Sequence, residues 1–99
     1  MNKHILTTID HQLNPGKYTK EQLRQNASEA AAIYAEYAKA DYAIGAGYVD
    51  YAAANAAYYV YAATNAAADY AADYWVDRYL KSSKESKQDY IDEINRGKE

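Results

Sequence analysis

The stretch ASEAAAIYAEYAKADYAIGAGYVDYAAANAAYYVYAATNAAADYAA, Ala27–Ala72, decides the fold. Every alanine of the chain lies in it, with nine of the thirteen tyrosines. It contains no proline, and its only glycines are Gly45 and Gly47. Alanine is the strongest helix former, and tyrosine is the one large side chain that recurs along the run. The composition therefore specifies an all-α protein in which long helices meet through small residues and phenol rings.

Two glycines inside a helix cost about 2 kcal/mol relative to alanine. Gly45-Ala46-Gly47 reads either as a soft spot in one rod or as a tight connector, and a three-residue connector between antiparallel helices is ordinary. The favoured reading is a long hairpin with helices over about 20–44 and 48–80. Tyr37, Ile44, Tyr51 and Tyr58 recur every seven residues, and Ala72 and Tyr79 continue the series, which would form a coiled-coil-like seam in the rod. The second helix is apolar in nearly every direction, as befits a helix buried on several sides.

Outside the run, Ile5, Leu6, Ile9 and Leu13 share a stripe on a short helix over 3–13, with Asn2 as N-cap. Asn14-Pro15-Gly16 ends it. Thr19-Lys20-Glu21-Gln22 fits a capping box, with Tyr18 and Leu23 able to form a hydrophobic staple. Ser82 and Glu85 fit a second box, opening a final helix over about 83–96 with Tyr90, Ile91 and Ile94 on one side and an Asp92–Arg96 pair.

Ninety-nine residues make one domain, 1–99. There is no Phe, one Trp and no cysteine, so neither a large apolar core nor a disulfide assists the fold. Self-association is the expected source of further burial, giving a homo-oligomeric bundle. The net charge of −3 gives no basic footprint for duplex nucleic acid. The mean hydropathy of −0.68 and interspersed charges argue against a membrane span. MNKHILTTID does not read as a signal peptide, so the cytoplasm is the expected compartment.

Chemistry-bearing residues cluster toward the end of the run. Tyr58, Tyr59, Tyr61, Tyr70, Tyr74 and Trp75, with Arg78 and Tyr79 beyond, form an aromatic field suited to a partner protein or a stacked base. Tyrosines filling gaps between alanine-faced helices is the plainer explanation. Asn55, Thr64 and Asn65 read as register-setting polar residues or as readers of a ligand edge. Asp69, Asp73 and Asp77 share one face, where like charges four apart repel unless something cationic lies between them; the plainer reading is a solvated acidic stripe, partly compensated by the Asp77–Lys81 spacing. His4 and His11, about 10 Å apart along a helix axis, cannot chelate one metal and read as surface or partly buried histidines. No metal or cofactor motif, nucleotide loop or nucleophile motif is present, so the chain reads as a binding protein and not an enzyme.

The segments MNKHILTTIDHQLNPGKYTKEQL (1–23) and YWVDRYLKSSKESKQDYIDEI (74–94), with the Ala/Tyr run between them, resemble small uncharacterised proteins of tailed bacteriophages. Those proteins are similar in having a shared head and tail around a variable run of Ala, Tyr, Asn and Asp. No catalytic residues are assigned in them, so none carries over. The resemblance implies a phage accessory or anti-defence protein in the host cytoplasm that binds and inhibits or sequesters a host or defence protein. Two other functions fit the residues. One is an oligomeric sponge for a small nucleotide in Tyr-lined pockets, for which Lys39, Arg78 and Lys81 are the nearby cations. The other is a purely structural, self-assembling helical protein.

Overall fold

The computed structural model describes residues 1–39, 46–62 and 66–97. Among them are helices α1 (Lys3–Leu13), α2 (Lys20–Lys39), α3 (Ala46–Ala62), α4 (Ala66–Ser83) and α5 (Lys87–Arg96), and no strand.

The α1 helix starts where the sequence places it. The Asn2 side chain accepts from the backbone N–H groups of His4 (2.8 Å) and Ile5 (3.2 Å). Ile5 and Ile9 are fully buried, Leu6 is half-buried against the same core, and Leu13, past the core, is exposed. The Thr19 capping box forms in both directions. The Thr19 N–H donates to Gln22 Oε1 at 2.8 Å, and the Gln22 N–H donates to Thr19 Oγ1 at 3.1 Å. Leu23 is buried, while Tyr18 points its hydroxyl at Asp10.

α3 is the central helix, and α1, α2 and α4 all pack against it. Ala52, Ala53, Ala56 and Ala57 are buried on it, so each neighbour approaches a small-residue surface. The second long helix expected over 48–80 is instead two, α3 and α4, folded against each other. The Tyr51 and Trp75 ring centroids are 5.4 Å apart. In one straight helix those residues would be separated by about 36 Å. A compact chain of this size buries more surface by folding the helix back on itself than by extending it. Residues 63–65, including Thr64 and Asn65, lie outside the described residues.

α2 also folds back onto α3. The Tyr34 and Tyr51 centroids are 5.1 Å apart, against about 26 Å along a rod. Gly45 and the rest of 40–45 lie outside the described residues, as do the side chains of Tyr37 and Ile44, while Ala46 and Gly47 begin α3. The seven-residue series is thus spread over different helices. Tyr58 of α3 stands exposed while Ala72 and Tyr79 of α4 are buried.

The second capping box does not form. α4 continues through Ser83, Lys84 adopts a left-handed backbone (φ 62°), and Ser86 caps α5 by accepting from the Gln88 N–H at 3.2 Å. Glu85 is drawn instead to two buried tyrosine hydroxyls. α5 therefore begins at Lys87 rather than 83. The expected Asp92–Arg96 pair is also replaced: Arg96 reaches Glu93 at 2.8 Å, and Asp92 accepts from Gln88 Nε2 at 2.9 Å.

Two apolar clusters result. The larger joins Ile5 and Ile9 of α1, Ala52, Ala53 and Ala56 of α3, Val76 and Tyr79 of α4, and Tyr90 and Ile94 of α5. The smaller is Ala27, Ala30 and Ala57, flanked by Ala54 and Tyr61. The Cα radius of gyration, 13.0 Å, is that of a compact chain of this length. No described helix is long and apolar enough to cross a membrane.

Candidate functional site

Helical phase sorts the aromatic field into three environments. On α4, Ala72, Val76 and Tyr79 face the core, with Tyr79 only 3% exposed. Tyr79 therefore belongs to the interior and not to a binding surface. The opposite arc of the same helix carries Asp69, Tyr70, Asp73, Tyr74 and Asp77, all exposed, with Tyr70 at 74% and Tyr74 at 48%. Trp75 lies at the boundary, half-buried, making edge contacts with Tyr51 and Tyr74. Arg78 is exposed, and its Nε donates to the Tyr48 hydroxyl at 3.0 Å.

Around this arc the α4 carboxylates border two clefts. One, of about 350 Å³, is lined by Asp69 and Asp73 with His11, Gln12 and Pro15. Gln12 Nε2 donates to Asp73 Oδ1 at 2.7 Å. The other, of about 280 Å³, lies among Tyr70, Asp73, Tyr74, Asp77 and Lys87. Among the described residues none of the three aspartates forms an ion pair. No group of three or more His, Cys, Asp or Glu among them is placed to hold a metal ion.

The remaining tyrosines, Tyr58, Tyr59 and Tyr61, are on α3. Tyr58 is 53% exposed and packs its edge against half-buried Tyr59, their centroids 5.5 Å apart. Tyr58 and Tyr61 wall a groove of about 450 Å³ between α2 and α3, with Tyr34 and Tyr51 at its other end. Its floor is alanine, from Ala27, Ala31 and Ala54, and its polar lining is Arg24, Ser28 and Asn55. Arg24 is held by Glu21 one turn back, and Lys20 lies 5.8 Å from the Tyr61 ring centroid. Asn55 Nδ2 is enclosed and has no hydrogen-bond partner. In the sequence Tyr51 reads only as part of the seven-residue series, and Tyr34 does not stand out, because it joins Tyr51, Tyr58 and Tyr61 only once α2 folds back onto α3.

Two carboxylate hubs, Glu85 half-buried and Asp10 buried, were also invisible in the sequence. Glu85 Oε1 accepts from the Tyr79 hydroxyl at 2.5 Å and the Tyr90 hydroxyl at 2.6 Å, and Oε2 lies 3.6 Å from the Met1 amino group. The Tyr90 hydroxyl in turn accepts from the Asn2 N–H at 3.0 Å. Burial pushes the Glu85 carboxyl up, but the two phenols and the amino group outweigh it and hold it below its usual range. Burial, reinforced by Glu85, pushes the Tyr90 hydroxyl up to about 12 and raises that of Tyr79 as well. At Asp10, burial is likewise outweighed, here by hydrogen bonds from Lys17 (2.6 Å), Tyr18 (2.7 Å) and Asn14 (2.8 Å), and its carboxyl is held low.

His4 corrects a further expectation. It is 2% exposed, with Nδ1 2.7 Å from Asn26 Oδ1 and Nε2 unpartnered. Burial raises the nearby Asp50 carboxyl, against the opposing influence of His4. His11 is half-buried, as its sequence position suggested. Comparison of the chain with protein-family models, with curated proteins and with solved structures found no match.

Proposed function

We propose that this protein is a non-enzymatic binding protein that engages a basic protein partner through the outer arc of α4 and thereby inhibits or sequesters it. The observation that carries this reading is the pairing of two exposed tyrosines, Tyr70 and Tyr74, with three exposed carboxylates that form no ion pair among the described residues, offset on the same helix face by Lys81 one turn beyond Asp77. Exposed tyrosines supply a rigid contact area at low entropic cost, and desolvated tyrosines dominate the energetics of many interfaces. The aspartates would steer and orient a cationic partner and disfavour an anionic one. The resemblance of the two ends of the chain to small phage proteins supplies the setting, a host or defence component in the cytoplasm of an infected bacterium.

The same charge pattern weighs against a nucleotide sponge. Asp69, Asp73 and Asp77 would repel phosphate on α4. Among the described residues that line the α2–α3 groove, the one cation is Arg24, already paired with Glu21.

The test is capture from bacterial lysate on the immobilised protein, in parallel with Tyr70→Ala/Tyr74→Ala and Asp73→Lys/Asp77→Lys variants. A stoichiometric basic partner, lost with either double variant, is expected. Capture of no partner, or capture that both variants retain, would remove the reading.

A further inference from the structure

We infer that the α2–α3 groove is filled by the same groove of a second copy of this chain, around a twofold axis passing close to Asn55. The surface is separate from the α4 arc and does not depend on the function proposed for it, since none of the described groove-lining residues belongs to α4.

The first argument is packing. α2 is the longest described helix, yet what it buries against α3 is chiefly Ala27, Ala30 and Ala57. Alanine contributes little apolar area, so this contact is weak for a helix of that length. Ile33 remains exposed on α2 and Tyr58 on α3. An alanine floor permits close approach of another helix, and the exposed ring of Tyr58 is a knob of the size such a floor receives.

The second argument is the order of side chains along the groove. α2 and α3 are antiparallel, so Arg24 lies at the Tyr61 end and Tyr34 pairs with Tyr51 at the other end. A twofold axis perpendicular to the groove reverses it. The guanidinium end of one copy then meets the Tyr34–Tyr51 end of its mate, a cation over aromatic rings. The groove is self-complementary in this sense, as an isologous interface requires. Among the described residues that line it, Arg24 is the one charged side chain, so like charges there do not oppose the pairing.

The third argument is Asn55. It lies midway along the groove, and its enclosed Nδ2 has no acceptor among the described residues. A buried donor left unpaired is unfavourable. Rotation of the amide toward the groove brings Nδ2 to the mate's Asn55 Oδ1, and the reciprocal bond forms by symmetry. A single asparagine pair of this kind fixes register and stoichiometry in helical interfaces.

The chain has no cysteine, so single-cysteine cross-linking is unambiguous. The native mass from light scattering should be twice the 11.1 kDa of one chain. Tyr58→Glu should return it to one chain while leaving far-UV circular dichroism unchanged. On mild oxidation Asn55→Cys should give a covalent dimer, and Asp92→Cys on α5 should not. Tyr74→Ala should leave the mass unchanged, which separates this interface from the α4 surface. A monomeric wild-type mass overturns the inference and leaves the groove to a foreign occupant. So does a dimer that survives Tyr58→Glu, or one in which Asn55→Cys fails to cross-link.

Discussion

The two apolar clusters of this chain are built on opposite plans. Where α1 and α4 meet on α3, with α5 packed on α1, the contacts are Ile5, Ile9, Val76, Tyr79, Tyr90 and Ile94, braced by Glu85 between two phenols and the amino terminus. Where α2 meets α3, the buried contacts are alanines, and the large rings stand at the rim. The first region brings together residues far apart in sequence through branched side chains and a half-buried carboxylate that two buried phenols share. The second places two neighbouring helices close together with little area between them. Burial scales with apolar area, so the first region should carry most of the stability. The second should open more readily and has surface left for association.

The strongest challenge to this contrast is Ile9→Ala. Ile9 is fully buried, and its truncation should cost about 2–5 kcal/mol in urea unfolding. Ala30→Gly in the α2 interface should cost only about 1 kcal/mol. Equal losses would erase the distinction.

Glu85→Gln comes next. It keeps the shape but removes the charge that two buried phenols share, and a loss of about 1–3 kcal/mol is expected by the same assay. The pH dependence sharpens the same point. The folded Glu85 and Asp10 carboxyls are lowered from 4.5 and 3.8, so their contribution is present above those values and is lost as pH falls through the lowered folded values. The Tyr90 and Tyr18 hydroxyls are raised from 10.0 to about 12, so their contribution is full below 10.0 and is lost as pH rises through about 12. Thermal unfolding across pH should therefore fall at both extremes, and Glu85→Gln should flatten the acid limb. An unchanged acid limb would show that the hub is not what stabilises this end of the molecule.

Thr19→Ala should give the smallest effect, about 1 kcal/mol from loss of the α2 cap, read as reduced helicity and a lower unfolding midpoint.

The sequence carried the local signals well. Asn2 and Thr19 cap the helices they were expected to cap, because capping depends on residues within one turn. The all-round apolar character read over 48–80 holds for the 48–62 part, which lies in the central helix α3, and not for 66–80, whose outer arc on α4 is exposed. The fold-back between α3 and α4 was missed because alanine and tyrosine continue unchanged on both sides of 63–65, and periodicity does not register a change of direction. Phasing 69–80 by itself would have put Ala72, Val76 and Tyr79 on one inward stripe and Tyr70 and Tyr74 outside it. Glu85 escaped for another reason. Its position fits an N-terminal box equally well, and only the tertiary approach of Tyr79 and Tyr90 gives it a stronger set of donors.

Native-state amide hydrogen exchange in dilute protein tests the central contrast most directly. The α1, α4 and α5 amides should exchange only through global unfolding, with α2 opening at clearly lower free energy. Protection of α2 equal to that of α1 and α5 under those conditions would contradict it.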